Sequence, residues 1–185
     1  MLNTFVVHVE NKPGVLTRVS SLFRRRSFNI DSLTVGRTEK PEVSRMTITV
    51  EADADQARRI EASLYKLVNV LLVENITEEP AITRDLAMIK VAAQHEERSH
   101  VLQLVNVFRG RVVDVAPDTL TIEITGGEDK IDGLLEVLRP FGVLEMVRTG
   151  IVAMRRGNKS SAPGPPSEEL DAVSPETDEN EGQSV

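Results

Sequence analysis

The segment Asn11-Lys12-Pro13-Gly14-Val15-Leu16 combines residue types that suit the binding of a small anion. It follows an alternating apolar run at residues 5–9 and precedes an apolar pattern with helical spacing, so it opens a predicted helix. The first N–H groups of a helix lack intrahelical acceptors, and the helix dipole favours negative charge there. Gly14 permits close approach to the backbone, and the Asn11 amide both donates and accepts hydrogen bonds. An amino-acid carboxylate would fit, although an ordinary capped helix start explains the spacing equally well.

A second amide lies at Asn29, beside Ile30, at the start of the next predicted strand. An amide next to an aliphatic side chain could contribute to the same kind of site. From the spacing alone, a turn residue is the better explanation.

The sequence contains no catalytic constellation. His95 and His100 resemble the zinc motif H-E-x-x-H, but the second histidine is one residue too late to share a helix face with the first, so a solvated helix start is the better interpretation. Nucleotide-binding glycine patterns and a nucleophile elbow are missing, and the absence of cysteine excludes disulfides and thiol chemistry. We predict a non-enzymatic chain without a metal or cofactor of its own.

Charge is concentrated at the C-terminal end. Residues 158–185 contain Lys159 as their only basic residue and seven acidic residues, a net charge of −6. Because the net charge of the whole chain is −7, residues 1–157 are nearly neutral at −1. The basic run at residues 24–26 is better explained as cations at a helix C-terminus than as an RNA contact, because the central strands lack the aromatic side chains that RNA-binding sheets use. We predict no nucleic-acid partner.

Apolar runs stay well below the ~18 residues that a membrane-spanning helix requires. The N-terminus also lacks the basic and apolar regions of a signal peptide. We therefore predict a soluble, cytoplasmic protein without a membrane partner.

Hydrophobic periodicity divides residues 1–157 into two similar halves of βαββαβ order. Strands are predicted at residues 5–9, 29–35, 43–51 and 68–76 of the first half, and at 86–92, 111–115, 120–124 and 143–154 of the second. The fold class is α+β, with two tandem ferredoxin-like domains at residues 1–78 and 84–157. A linker at 78–83 joins them, and the composition of 158–185 predicts a disordered acidic tail.

One face of the first sheet has no helices of its own in this arrangement. It would carry His8, Thr47 and Thr49 among apolar residues. An open sheet face and open edges favour pairing with another copy, so we expect a homo-oligomer.

The combined motifs resemble a known family. The N-terminal half resembles an ACT domain, and residues 1–157 together resemble the small regulatory subunit of acetohydroxyacid (acetolactate) synthase. The resemblance rests on residues 11–19 and 28–35, on Ser44-Arg45-Met46-Thr47-Ile48, on Phe108-Arg109-Gly110 with Val113-Asp114-Val115, and on Arg148-Thr149-Gly150.

This resemblance implies a non-catalytic subunit of branched-chain amino-acid biosynthesis. Such a subunit activates a separate catalytic subunit, which uses thiamine diphosphate, Mg²⁺ and FAD, and confers feedback inhibition by valine or another branched-chain amino acid. It forms a homodimer through its ACT domains, and the effector binds between them. The matching residues are Asn11, Gly14, Val15 and Leu16 of one chain with Asn29 and Ile30 of its partner.

Two other classes of protein remain as alternatives. One is a free-standing ACT-domain regulator that senses amino acids; a transcription regulator of this kind would need a helix-turn-helix, for which no spare helical segment is available. The other is an RNA-binding protein, which the missing aromatic side chains disfavour.

Overall fold

The computed structural model describes residues 1–157, so the predicted acidic tail lies outside the described residues. Two antiparallel sheets each carry two α-helices, and the chain passes through one βαββαβ unit before it enters the next. The predicted α+β class with two ferredoxin-like units is confirmed. No helix within residues 1–157 is long and apolar enough to cross a membrane.

The first unit consists of β1 (Leu2–Glu10), α1 (Val15–Arg25), β2 (Ile30–Arg37), β3 (Val43–Glu51), α2 (Ala54–Leu64) and β4 (Val70–Asn75). Its sheet has the order β2-β3-β1-β4, so β2 and β4 are the edge strands. Alternation on β1 turns Phe5, Val7 and Val9 towards the helices, where they pack with Ile60 and Leu64 of α2 in one core.

The second unit consists of β5 (Ala81–Ala92), α3 (Arg98–Val107), β6 (Arg111–Val115), β7 (Thr119–Gly126), α4 (Glu128–Leu138), a 3-10 turn (Arg139–Phe141), β8 (Val143–Arg148) and β9 (Val152–Arg155). Its sheet has the order β6-β7-β5-β8, and β9 pairs with the first residues of β5. Ile89, Ile122 and Leu134 are fully buried in its aliphatic core.

Two predicted elements of the second half differ from the structure. Strand β5 begins at Ala81, inside the predicted linker, because Ala81 to Arg84 pair with β9. The strand predicted at residues 143–154 is two strands, because Gly150 between them has a positive φ of 86° that ends the extended conformation. Apolar residues lie on both sides of Gly150, so the sequence pattern alone could not locate the break.

The expectation of an open face on the first sheet is wrong. His8, Thr47 and Thr49 are buried within the single chain. The segment around β9 lies against this face, where Ala153 packs with Val6 and Ile76. Because this face is covered, it gives no reason to expect a second copy.

Candidate functional site

The start of α1 is an uncapped helix N-terminus that faces open space. Gly14 occupies the N-cap position in the left-handed conformation, at φ 82° and ψ −6°, and no side chain caps the helix. A Cβ built on Gly14 would meet no atom within 4 Å. Val15 is buried under the helix, whereas Leu16 is 44 % exposed. Free N–H groups beside an exposed aliphatic side chain suit a carboxylate that bears an apolar group.

The loop before the helix is held by the turn that joins β2 to β3. The backbone N–H of Asn11 donates to the carbonyl of Glu42 at 2.7 Å, and its side-chain Nδ2 donates to the carbonyl of Pro41 at 2.9 Å. These bonds use the backbone donor of Asn11 and one of its two side-chain donors, and its Oδ1 has no partner within residues 1–157. Asn11 therefore presents an acceptor that an ammonium group could use.

Charged groups surround the same loop. Hydrogen bonds from Asn69 and from Lys12 lower the pKa of the Glu10 carboxyl, which therefore remains ionised near neutral pH. Arg18, on the first turns of α1, donates from Nη1 to Oδ1 of Asn69 at 2.6 Å. The Arg18 guanidinium adds positive charge near the helix start, and its position four residues after Gly14 is the signal that could have marked it as a site residue.

Asn29 and Ile30 lie at the other end of α1. Asn29 is exposed just before β2, and Ile30 is partly buried against the first core. The 11 residues of α1 separate this end from Gly14 by roughly 16 Å, at 1.5 Å per residue. The structure does not bring the two predicted groups together within one chain. Each group would form only one half of the predicted site, a half-site, and the second lies at the start of the edge strand β2.

A buried polar cluster lies in the second unit, at the motif Arg148-Thr149-Gly150. Asp85 is only 5 % exposed, and it accepts hydrogen bonds from Arg148 Nε at 2.8 Å, Thr149 Oγ1 at 3.0 Å and the Gly150 N–H at 3.2 Å. Burial lowers the pKa of Arg148, but the hydrogen bond and charge of Asp85 outweigh it and raise the pKa overall. Asp85 could not be identified from the sequence, because one acidic residue in an apolar strand has no distinguishing pattern.

The described residues hold no group of three or more histidine or acidic side chains that could bind a metal ion. His95 and His100 are both exposed near the start of α3.

A βαββαβ unit whose first helix starts at an uncapped, left-handed glycine has the architecture of an ACT domain, a class of small-molecule-binding regulatory module. Residues 5–72 match the family model described as "AHAS small subunit-like ACT domain", and residues 84–157 match "Small subunit of acetolactate synthase". The chain belongs to the acetolactate synthase small subunit family.

Relatives that match most of the chain have the same family name. A probable acetolactate synthase small subunit of Archaeoglobus fulgidus is 50 % identical over 159 residues, which cover 86 % of this chain and 99 % of that protein. The acetolactate synthase small subunit of Mycobacterium bovis is 48 % identical over 84 % of this chain and 92 % of its own length. The crystal structure of the small subunit from Thermotoga maritima superposes with a TM-score of 0.80 at 41 % identity, covering 86 % of this chain and 99 % of that one.

Proposed function

We propose that this chain is the regulatory subunit of acetolactate synthase, which activates the catalytic subunit and makes it sensitive to valine. The observation that carries the proposal is the family match across both units, together with the open, uncapped helix start at Gly14. The chain has no cofactor of its own in this proposal. The catalytic subunit carries thiamine diphosphate, Mg²⁺ and FAD, and the complex operates in the cytoplasm.

The effector binds between the ACT domains of two copies. Its carboxylate meets the free N–H groups of Gly14 and Leu16, where the helix dipole favours negative charge. The N–H of Val15 already donates to the carbonyl of Lys12 at 3.4 Å. Its ammonium group meets Oδ1 of Asn11 and the amide of Asn29 from the second copy. The aliphatic side chain packs on the exposed Leu16 and on Ile30 of the second copy, since Val15 is turned into the core.

Two features of one chain support a shared site. The half-sites lie at opposite ends of α1, so one chain cannot enclose a ligand as small as valine with both of them. The second half-site adjoins the edge strand β2, where another copy can add to the sheet. A ligand bound between two copies stabilises one relative orientation, and this differential affinity is the thermodynamic requirement for inhibition.

Reconstitution tests the proposal. The purified chain is mixed with the acetolactate synthase catalytic subunit, and pyruvate consumption is measured with thiamine diphosphate, Mg²⁺ and FAD, with and without valine. We expect no turnover by the chain alone, a faster rate with both subunits, and inhibition of that added rate by valine.

Two results would contradict the proposal. Turnover of pyruvate by this chain alone would make it an enzyme. Valine binding without any effect on the catalytic subunit, and without co-purification, would favour a free-standing ACT-domain regulator instead.

A further inference from the structure

The segment of residues 149–155, which we name the strap, is tied to the edge strand of the first sheet. The N–H of Ile151 donates to Oγ of Ser32 at 3.0 Å, and Oγ1 of Thr34 donates to the carbonyl of Thr149 at 3.5 Å. Ser32 and Thr34 belong to β2, the strand that begins at Ile30. The strap therefore contacts the strand that carries the second half-site.

The strap continues across the rest of the first sheet. In its middle, Arg45 of β3 donates to the carbonyl of Ala153, whose side chain packs on Val6 of β1 and on Ile76. At its end, Arg155 forms ion pairs with Glu74 of β4 at 2.6 Å and with Glu79 at 2.7 Å. It thus touches strands β2, β3, β1 and β4 in the order in which they lie in the sheet.

Both ends of the strap also belong to the second unit. Asp85 of β5 accepts hydrogen bonds from Thr149 and from the N–H of Gly150, and β9 pairs with the first residues of β5. If the strap moves relative to the first sheet, the second unit therefore moves with it.

Gly150 makes the contact between the strap and β2 unusually close. Its φ is 86°, and a Cβ at this position would lie 2.5 Å from Oγ of Ser32 and 3.1 Å from Oγ1 of Thr34. A side chain here would displace the hydroxyls of Ser32 and Thr34, and the positive φ would strain it. A cavity of about 390 Å³, bordered by β2, Asp85 and the strap, adjoins this contact and leaves room for β2 to shift against the second unit.

We propose that the strap transmits effector binding from β2 to the second unit, with Gly150 and Ser32 as the positioning residues of this coupling. The inference rests on the proposed function, because it assumes that the effector binds at Asn29 and Ile30. Effector binding at the start of β2 changes the position of Ser32 relative to the strap, and the second unit moves with the strap. The hydrogen bond from the Ile151 N–H to Oγ of Ser32 is sensitive to this position.

The variant Gly150→Ala tests the coupling, and Gly157→Ala is its matched control. Gly157 has a similar φ of 80°, but a Cβ there would meet no atom within 4 Å, so the control introduces the same backbone strain without the close contact. We expect both variants to activate the catalytic subunit and to bind valine in calorimetry as the wild type does. Inhibition by valine should weaken at least about fivefold in Gly150→Ala, the lower end of typical coupling factors, and should remain normal in the control.

Hydrogen exchange at the strap provides an independent measurement. We expect valine to change the exchange rate of the Ile151 amide in the full-length wild type, and to leave the amides of α4 unchanged. If Gly150→Ala does not fold, Ser32→Ala replaces it, because that change removes only the acceptor of the Ile151 N–H. Its control is Ser20→Ala, whose hydroxyl bonds within its own helix.

The outcomes separate this inference from the proposed function. Wild-type inhibition in Gly150→Ala or Ser32→Ala, or a strap whose exchange does not respond to bound valine, overturns the coupling while the regulatory function stands. A wild-type chain that neither binds valine nor confers inhibition overturns the proposed function, and the coupling fails with it.

Discussion

At Gly14 the backbone conformation limits which residues fit, and at His8 the buried environment changes the pKa of the side chain. Gly14 is left-handed and faces solvent, so its side chain could grow without a clash, but only residues that tolerate positive φ fit without strain. His8 is buried beside Arg45, its cross-strand partner, and its Nδ1 has no hydrogen-bond partner within the described chain. These two environments lead to two different predictions.

Gly14→Asp should abolish valine inhibition and spare activation. Its carboxylate occupies the place of the effector's carboxylate and repels it, and the loss of a charge-assisted contact costs ~1.5–3 kcal/mol, or roughly tenfold to a hundredfold in affinity. Aspartate tolerates both the left-handed conformation and a helix start, so the domain should remain folded. A valine titration of the reconstituted enzyme and calorimetry on the isolated variant measure the effect.

The control for this variant is Gly14→Asn, which has nearly the same size and tolerance of positive φ but no charge. We expect it to weaken valine binding less than Gly14→Asp does. Equal losses in both variants would assign the effect to bulk, and unchanged inhibition in a folded Gly14→Asp chain would move the effector site elsewhere.

His8 should make the protein less stable as the pH falls below about 6.5, the ordinary pKa of histidine. Burial, and next the charge of Arg45, lower its pKa in the folded state, although Glu74 and Glu39 act in the opposite direction. The unfolded chain therefore binds a proton at a pH where the folded chain does not, and acid favours unfolding.

Denaturant unfolding at several pH values between 7 and 5 measures this effect. His8→Gln should lose less stability over this range than the wild type, whereas the exposed His95→Gln should behave as the wild type does. Parallel pH dependence in the wild type and His8→Gln would show that another group is responsible.

At the scale of elements, the strap decides how the two units are joined. Its residues extend an apolar strand pattern in the sequence, yet after Gly150 they pair with the first residues of β5 and lie across the first sheet. Polar side chains of β2 and β3 bond to its backbone, and Glu74 of β4 pairs with Arg155. The polar contacts fix the position of the strap on the first sheet, and the ion pairs of Arg155 should stabilise the folded protein.

Arg155→Met should destabilise the protein by about 3 kcal/mol, the lower end of the range for breaking a buried ion pair. The side chains of Arg155 and Glu74 are only 17 % and 12 % exposed, so the substitution leaves a nearly buried carboxylate without its partner. The control is Arg58→Met, which breaks an exposed pair with Asp55 and should cost less than about 1 kcal/mol. Denaturant midpoints compare the two, and equal losses would mean that the strap pair contributes no more than a surface pair.

At the scale of the whole molecule, the effector site is predicted to need two copies. An isologous dimer contains two equivalent sites, each built from the Gly14 loop of one copy and Asn29 of the other. This arrangement can be distinguished from a site within one chain, because defects in the two half-sites complement each other only across an interface.

Mixed dimers of Gly14→Asp and Asn29→Lys chains should recover part of the valine binding that each variant lacks alone. In a mixed dimer one site carries both substitutions and the other carries neither. Because random pairing makes about half of the dimers mixed, roughly a quarter of all sites are intact. Calorimetry on co-refolded chains gives the number of binding sites, and native mass spectrometry verifies that mixed dimers form. Mixed dimers without any valine binding would place both half-sites in a single chain.

Local patterns were sufficient to predict the two βαββαβ units, because alternation on strands such as β1 and helical spacing on α1 arise from neighbours in the chain. The motif at Gly14 was recognisable for the same reason, since a turn and a helix start need particular residues at adjacent positions. The order of elements and the left-handed glycine position both follow from such short-range requirements.

Contacts between distant residues were decided by the tertiary structure alone. The burial of His8 and Thr47 depends on a segment more than a hundred residues later in the chain, and Asp85 becomes a hydrogen-bonding centre only when Arg148 and Thr149 meet it. Residues 143–154 are largely apolar on both sides of Gly150, but the chain turns at this residue, where a positive φ and the nearby hydroxyl of Ser32 disfavour a side chain. Such packing depends on which surfaces remain after each unit has folded, and no local pattern encodes it.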